Sequence, residues 1–145
     1  MNDHVLSIEG LSLVSEIIEL HNLIWDNSVG IIDLLKNSSR CLYVRETDGL
    51  AGYAFLEEDQ SRGFVELQDV VVAPKFRGQG IAKALISEAM RLYPGIKLIC
   101  RADNDPLVRL YRDLGFVEEY RVENYYAIGQ DGLRMSWPGN NRKVI

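Results

Sequence analysis

The sequence is organised around residues 65–92, VELQDVVVAPKFRGQGIAKALISEAMRL. Residues 70–73 form an apolar, β-branched run that predicts a buried strand ending near Pro74. A basic turn that contains Gly78 and Gly80 follows the strand. The apolar residues after the turn recur at the spacing of one helix face: Ile81, Leu85, Ala89 and Leu92. The predicted unit is therefore a strand, a glycine turn and a helix.

The turn and the start of the predicted helix favour an anion. The first backbone N–H groups of a helix have no intrahelical acceptor, and the helix dipole places partial positive charge at the same end. Glycines at positions 78 and 80 allow an anion to approach the main chain without meeting a Cβ atom. We therefore expect a phosphate group in front of this helix.

Three kinds of phosphate loop can precede such a helix. A dinucleotide-binding fingerprint needs a third glycine where this chain has Lys83, and it normally follows the first strand of its unit. A Walker A loop needs Gly-x-x-x-x-Gly-Lys-Ser/Thr, a string that the sequence does not contain. The remaining string, Arg77-x-x-Gly80-x-Ala82, resembles the Gln/Arg-x-x-Gly-x-Gly/Ala signature of the GCN5-related N-acetyltransferase (GNAT) superfamily.

A second stretch, residues 98–116, LICRADNDPLVRLYRDLGF, resembles the other half of that family's pattern. It contains a predicted strand, Asn104, Tyr111 seven residues later, and then Gly115-Phe116. The resemblance covers roughly residues 40–137. It implies an α/β (α+β) fold, with a mixed central β-sheet of about six to seven strands flanked by about four helices. We expect residues 1–145 to form one such domain.

Hydrophobic spacing and turn residues give the order of the elements. The predicted strands are residues 5–7, 41–45, 50–56, 64–73, 97–101, 117–122 and 133–137. The predicted helices are residues 12–25, 31–36 and 80–93. A further helix is expected to begin with Asp105 as its N-cap and to end at Gly115. Asp48-Gly49 predicts a hairpin between the second and third strands.

The resemblance implies that acetyl-coenzyme A is the acetyl donor, used as a co-substrate. The residues expected around its pyrophosphate, mainly through main-chain N–H groups, are Arg77, Gly78, Gln79, Gly80, Ile81, Ala82 and Lys83. The residues expected along its pantetheine arm are Val70, Val71 and Val72. Asn104 and Tyr111 complete the cofactor-binding set.

Acetyl transfer from a thioester to an amine needs a neutral amine, a polarised carbonyl and a proton for the departing thiolate. Tyr111 is the candidate acid, because a phenol is protonated at neutral pH. Its place on an apolar helix stripe equally suits a core residue. Glu66 and Asp69 are the candidate bases. Glu66 lies eleven residues before Arg77, where histone-acetylating family members carry their base.

Several roles remain open for the two carboxylates. In a regular strand they face opposite sides, whereas one β-bulge between them would bring both to one cleft. Each can act directly, act through water, bind a cationic substrate, or be an ordinary solvated carboxylate.

The acceptor is expected to be a primary amine of a small molecule, acetylated directly in a ternary complex. The candidate acceptor-binding residues are Trp25, Asp26, Glu66, Asp69 and Tyr126, although packing is the commoner role for a tryptophan such as Trp25. The alternatives are a protein N-terminus or lysine as acceptor, and a non-catalytic acyl-CoA-binding sensor or interaction module. Residues 124–126, with Asp131 and Met135, resemble the ribosomal-protein N-terminal acetyltransferases. Those enzymes carry a glutamate where this chain has Ile99.

Composition and charge argue against a membrane protein and against a nucleic-acid-binding protein. The chain has 145 residues, 47% hydrophobic and 26% charged, as expected for a soluble globular domain. Apolar runs too short to cross a membrane, together with an N-terminus unlike a signal peptide, predict a cytoplasmic protein without a membrane partner. The net charge of −5 argues against nucleic acid. Cys41, Cys100, His4 and His21 have no evident metal or catalytic partner, so no metal is expected. A homodimer through the final strands is a further expectation.

Overall fold

The computed structural model describes residues 2–6, 11–24, 39–59 and 63–138. The chain divides into two compact units. Unit 1 comprises Met1–Glu58 and Leu67–Leu92, and unit 2 comprises Asp59–Glu66 and Tyr93–Ile145.

The described ranges contain seven strands, three α-helices and one turn of 3-10 helix at Pro74–Phe76. The strands are β1 (Asn2–Leu6), β2 (Arg40–Glu46), β3 (Gly49–Asp59), β4 (Phe64–Val72), β5 (Ile96–Arg101), β6 (Val117–Ala127) and β7 (Gln130–Trp137). The helices are α1 (Leu11–Ile24), α2 (Ile81–Leu92) and α3 (Asp105–Asp113). The predicted α/β class with a mixed sheet of six to seven strands is confirmed. The helix predicted for residues 31–36 lies outside the described residues.

Unit 1 contains strands in the hydrogen-bonded order β1-β2-β3-β4, to which β4 contributes residues 67–72. Both β1 with β2 and β2 with β3 pair antiparallel. The β2–β3 register ends at Glu46 opposite Gly49, which confirms the predicted hairpin, and Gly49 adopts a φ of 128° there. The buried side chains of α2 are Ile81, Leu85, Ile86 and Ala89.

Gly52 in β3 permits a close approach between the elements of unit 1. A Cβ atom at Gly52 would lie 2.7 Å from the carbonyl oxygen of Val71 in β4 and 2.9 Å from Cγ2 of Ile81. No ordinary side chain fits these distances, so the absence of a side chain at Gly52 lets the start of α2 pack against β3 and β4. This packing positions the glycine turn that precedes α2.

In unit 2 the hydrogen-bonded strand order is β4-β5-β7-β6. Strand β4 contributes residues 64–66 to this unit. Both β5 and β6 pair antiparallel with β7. The main-chain N–H of Val65 donates to the carbonyl of Gly95 at 2.9 Å. The fully buried side chains of this unit include Ile96, Leu98, Phe116 and Met135.

Helix α3 begins one residue earlier than the sequence indicated. Its N-cap is Asn104, whose side-chain oxygen accepts a hydrogen bond from the N–H of Leu107 at 3.3 Å. The prediction of Asp105 as N-cap is therefore wrong, because Asp105 is already the first helical residue. There its carboxylate still faces the positive end of the helix dipole.

The end of α3 is a Schellman motif. The N–H of Phe116 donates to the carbonyl of Tyr111 at 2.9 Å, and the N–H of Gly115 donates to that of Arg112 at 3.0 Å. Gly115 has a φ of 106°, which confirms the predicted role of a glycine at the helix end. The rings of Tyr111 and Phe116 lie 5.3 Å apart and supply the apolar contact typical of this motif.

Candidate active site

The glycine turn before α2 has a left-handed backbone at both of its glycines. Gly78 and Gly80 have φ values of 79° and 80°, and a Cβ atom at either position would meet no atom within 4 Å. The glycines are therefore required by the backbone conformation, and the space in front of them is open. The N–H of Ala84 donates to the carbonyl of Gly80 at 2.9 Å, so the three N–H groups before it have no intrahelical acceptor.

The predicted cofactor-binding residues differ in what they expose. Arg77, Gln79 and Lys83 are exposed, and Nε of Arg77 donates to the carbonyl of Val72 at 3.3 Å. The side chains of Val71 and Ile81 belong to the core of unit 1, so only their main chains are available to a ligand. The half-buried residues of the set are Val70, Val72 and Ala82.

Asp69 lies in a cluster of buried polar groups within unit 1. The hydroxyl of Tyr53 in β3 donates to Oδ2 of Asp69 in β4 at 3.4 Å. Nδ1 of His21 in α1 lies 3.2 Å from the Tyr53 hydroxyl and 3.7 Å from Oδ2 of Asp69. The Asp69 side chain is 11% exposed and that of His21 is 6% exposed, so the carboxylate is desolvated but not sealed from solvent.

Burial determines the protonation of this cluster. It raises the pKa of Asp69 to about 6, against the opposing effect of hydrogen bonds from Tyr53 and from the N–H of Val70. Burial also lowers the pKa of His21 and raises the pKa of Tyr53, the latter with help from the nearby Asp69 charge. At neutral pH the cluster therefore holds an ionised carboxylate, a neutral imidazole and a neutral phenol. A carboxylate with a raised pKa is a stronger proton acceptor than an exposed one.

Sequence reasoning missed both partners of Asp69. His21 lies beside Tyr53 and Asp69, a contact that the sequence analysis did not predict. The available signal was its position: Ile17, Leu20, His21 and Ile24 recur at helical spacing, so a histidine interrupts an apolar stripe.

Glu66 has a different environment, within unit 2. Its two carboxylate oxygens accept hydrogen bonds from Nη1 and Nη2 of Arg134 in β7, at 2.6 Å and 3.2 Å. Both side chains are 16% exposed. Nε of Arg134 also lies 3.8 Å from Glu119, whose carboxylate is 3.5 Å from Nζ of Lys97. Glu66 therefore belongs to an ion-pair network, and both of its oxygens are engaged.

The burial pattern of β4 bears on the predicted cleft. Its fully buried residues, Val65, Leu67 and Val71, are all odd-numbered. A single bulge between positions 66 and 69 would shift this phase. The pattern favours the regular arrangement, in which Asp69 shares the side of the buried residues and Glu66 faces the other side.

Tyr111 and Asn104 both have roles in the structure of α3. The side chain of Tyr111 is 3% exposed and packs on Phe116, while Asn104 caps the helix. The seven-residue spacing therefore joins the start of the helix to its final turn. The assignments of Tyr111 as acid and of both residues to the cofactor stay predictions.

The β6–β7 hairpin exposes a group of large apolar residues. These are Tyr120, Tyr125, Tyr126 and Ile128. The hydroxyl of Tyr126 donates to the carbonyl of Ile99 at 3.3 Å, and its ring lies edge-on to Tyr125 at 4.9 Å. Trp25 and Asp26, the other acceptor-binding candidates, lie outside the described residues.

Side-chain and backbone contacts fix the shape of this hairpin. Oδ1 of Asp131 accepts from the N–H of Asn124 at 2.9 Å, and Oδ1 of Asn124 accepts from the N–H of Gly129 at 2.7 Å. A Cβ atom at Gly132 would lie 2.8 Å from Cδ1 of Ile99 and 3.0 Å from Cβ of Tyr125. Gly132 thus leaves the space that the Ile99 side chain occupies beside Tyr125.

Within the described ranges, no group of three or more His, Cys, Asp or Glu side chains has the arrangement of a metal site. No helix among those residues is both long enough and apolar enough to span a membrane.

Comparison with protein families identifies the chain. The model of the Acetyltransferase (GNAT) family matches residues 12–116. This protein belongs to the GNAT acetyltransferase family. As a GNAT protein it is an acyltransferase of the N-acetyltransferase class.

Two curated GNAT relatives illustrate the match. An N-alpha-acetyltransferase of Sulfurisphaera tokodaii is 30% identical over 124 residues, which cover 74% of this chain and 74% of that protein. The catalytic subunit NAA20 of the N-terminal acetyltransferase B complex of Arabidopsis thaliana is 36% identical over 72 residues. This second match covers 46% of the chain and 41% of the Arabidopsis protein, less than half of either.

The GNAT fold also agrees with solved structures. The ribosomal-protein-S18-alanine N-acetyltransferase from Escherichia coli superposes with a TM-score of 0.76 at 21% identity. The superposition covers 99% of this chain and 100% of that chain.

Proposed function

We propose that this GNAT protein transfers the acetyl group of acetyl-coenzyme A to the α-amine of a peptide or protein N-terminus. The observation that carries the proposal is the 30% identity to an N-alpha-acetyltransferase over 74% of both chains. The second relative is named as the catalytic subunit of an N-terminal acetyltransferase complex. Transfer is direct, in a ternary complex of the protein, the donor and the acceptor.

The donor binds at the turn before α2. Gly78 and Gly80 have positive φ values and open space in front of them, which supports an anion contacting the main chain. The N–H groups at the start of α2 hydrogen-bond the pyrophosphate of acetyl-coenzyme A, and the exposed side chains of Arg77 and Lys83 add positive charge. Residues 70–72 line the pantetheine arm through their main chain.

The acceptor peptide contacts the β6–β7 hairpin. Tyrosine side chains combine a large apolar ring with a hydrogen-bonding hydroxyl, a combination enriched in surfaces that bind other chains. The three exposed tyrosines of this hairpin, Tyr120, Tyr125 and Tyr126, suit a peptide backbone with its alternating polar groups.

The chemistry assigns one proton transfer to each of two residues. Asp69 accepts a proton from the acceptor ammonium, because its raised pKa of about 6 makes it a better base than an exposed carboxylate. The freed amine attacks the thioester carbonyl, and the tetrahedral intermediate expels the coenzyme A thiolate by breaking its C–S bond. Tyr111 donates its phenol proton to the departing thiolate. The second proton of the attacking nitrogen is released to solvent as the amide forms, and solvent returns a proton to the Tyr111 phenolate.

Ile99 favours a second candidate, a primary amine of a small molecule. Ribosomal-protein N-terminal acetyltransferases carry a glutamate at this place, and this chain has an isoleucine that packs beside Gly132 and Tyr125. Because Ile99 replaces that glutamate, the carboxylate that contacts the acceptor amine must come from another position of this chain.

A panel of acceptors separates the two candidates. The purified protein is mixed with acetyl-coenzyme A and either peptides with a free α-amine, the same peptides with that amine blocked and a lysine retained, or small diamines and polyamines. Thiol release gives the rate, and mass spectrometry locates the acetyl group. Acetylation of the α-amine supports the first candidate, whereas turnover restricted to the small amines supports the second. Thiol release with none of them contradicts the proposed function.

A further inference from the structure

Three titratable side chains from three elements of unit 1 meet in a largely buried cluster. They are His21 from α1, Tyr53 from β3 and Asp69 from β4. His21 is 5% exposed as a residue and Tyr53 is 0% exposed. Burying such polar groups costs free energy that apolar residues of similar volume avoid, and hydrogen bonds recover only part of it. A cluster of this kind in a core therefore calls for an explanation beyond stability.

The hydrogen bonds of the cluster run in one direction. The single hydroxyl proton of Tyr53 is donated to Oδ2 of Asp69 at 3.4 Å. The Tyr53 oxygen, 3.2 Å from Nδ1 of His21, then accepts from that nitrogen, so the network assigns the neutral imidazole its proton on Nδ1. Nδ1 is 3.7 Å from Oδ2 of Asp69, too far for a hydrogen bond of its own. His21 therefore acts on Asp69 through Tyr53.

We propose that Tyr53 and His21 are positioning residues that orient the Asp69 carboxylate and set the pH at which it takes the proton of the acceptor amine. The inference rests on the proposed function, because it assigns Asp69 as the base. The step breaks one N–H bond of the acceptor ammonium, leaves the electron pair on nitrogen and places the proton on Asp69. Asp69 returns the proton to solvent after the products leave.

Within the described part of unit 1, the other titratable groups that face Asp69 are Cys41, Tyr53 and His21. The thiol of Cys41, on β2, is coupled to the Asp69 charge, and burial raises the pKa of this thiol to about 12. Burial raises the pKa of the Tyr53 phenol above its ordinary value. Burial lowers the pKa of His21, which favours the neutral imidazole at neutral pH. The Asp69→Asn variant distinguishes the ionisation of Asp69 from that of a histidine.

The test is the pH profile of kcat/KM for the full chain and four variants. Tyr53→Phe removes the donor to Asp69, and His21→Leu removes the donor to Tyr53. The apparent pKa in the kcat/KM profile should be about one pH unit higher in Tyr53→Phe than in the wild type, because the loss of a hydrogen bond to a carboxylate raises the pKa of that carboxylate. The shift should be smaller in His21→Leu. His21→Asn, which keeps a side-chain N–H, should restore part of the wild-type profile, and Tyr43→Phe on β2 should leave it unchanged.

A second readout keeps the proposal separate from the proposed function. Carbon NMR of carboxyl-labelled aspartate, assigned with Asp69→Asn, follows Asp69 in the protein without substrate. Upward shifts in both readouts support the proposal. The opposite result is that folded Tyr53→Phe and His21→Leu keep the wild-type pKa in both readouts while turnover is reduced equally at every pH. That result overturns the positioning role of Tyr53 and His21 and leaves the proposed function standing. Wild-type protein that acetylates no amine overturns the proposed function and the catalytic role of this cluster together, even if the NMR shifts are present.

Discussion

Both terminal nitrogens of Arg134 contact the carboxylate of Glu66, at 2.6 Å and 3.2 Å, across 68 positions of sequence. A carboxylate whose two oxygens both accept from one guanidinium is held in its ionised form by a permanent cation. Asp69 instead accepts from a neutral phenol. This contrast assigns Glu66 a role in the stability of unit 2 and leaves Asp69 as the better candidate for the base.

Replacing Glu66 by glutamine should therefore affect folding more than turnover. The change removes the charge that Arg134 faces, and we expect the free energy of unfolding to fall by about 1–2 kcal/mol. Because Glu119 lies 3.8 Å from Arg134, the cation keeps one partner. Urea unfolding and kcat, measured together, check this.

Glu118→Gln is the matched control, because Glu118 pairs with Arg112 in an exposed position. This variant should be nearly as stable as the wild type. A hundredfold loss of kcat in folded Glu66→Gln would contradict the structural role and return Glu66 to the catalytic candidates.

Replacing Asp69 by asparagine should abolish most of the activity. Loss of a positioned base lowers kcat by about 10²-fold or more, and binding of acetyl-coenzyme A should persist. In the wild type, kcat/KM should rise with pH through about 6, because the base must be ionised to accept a proton. Steady-state kinetics from pH 5 to pH 8 check both statements. A flat wild-type profile, or full activity in Asp69→Asn, would exclude Asp69 as the base.

The same residue should make folding stability depend on pH. The pKa of Asp69 rises from 3.8 to about 6 on folding, so between these values the folded state binds more protons than the unfolded state. The contribution of Asp69 to stability is therefore greatest below pH 4 and is lost as the pH rises to about 6. The change amounts to about 3 kcal/mol.

The variant Asp69→Asn lacks this titration. We expect it to be more stable than the wild type at pH 7 and to show a smaller loss between pH 4 and pH 6, measured by urea unfolding at each pH. A stability difference between the two proteins that does not vary with pH would argue against the raised pKa.

Replacing Tyr111 by phenylalanine should separate packing from chemistry. The ring that contacts Phe116 is retained and only the hydroxyl is lost, so the stability should change by about 1 kcal/mol or less. If Tyr111 is the acid, kcat should fall by about 10²-fold or more while acetyl-coenzyme A still binds. Unchanged kcat would leave Tyr111 as a core residue of α3, consistent with its 3% exposure.

Most of the fold could be predicted from short-range signals in the sequence. The Asp48-Gly49 hairpin, the helix after Gly80 and the glycine that ends α3 each depend on residues within a few positions of one another. The N-cap of α3 was misplaced by one residue, because Asn104 and Asp105 are adjacent and both residue types suit an N-cap.

The partners of the two carboxylates could not be predicted in the same way. Arg134 is 68 residues from Glu66, and His21 is 48 residues before Asp69. Hydrophobic periodicity indicates which face of an element is buried, but it does not indicate which buried polar groups meet. Only the position of His21 on an apolar stripe suggested that it has an interior partner.

The glycine turn before α2 offers the most direct test of the account, because it is where the donor is proposed to bind. The measurement is the thermal unfolding midpoint with and without acetyl-coenzyme A, with NADH as a comparison, for the wild type, Gly80→Ala and Gly63→Ala. Gly63 and Gly80 have similar φ values, 73° and 80°, and open space where a Cβ atom would be, so both variants should lose similar stability.

A ligand at a hundred times its Kd stabilises the folded state by about 2.7 kcal/mol, which raises the midpoint by several degrees. We predict this rise for the wild type and Gly63→Ala with acetyl-coenzyme A, a much smaller rise for Gly80→Ala, and none with NADH. Equal rises in both variants would show that the donor does not contact this turn, and no rise in the wild type would contradict acetyl-coenzyme A as its ligand.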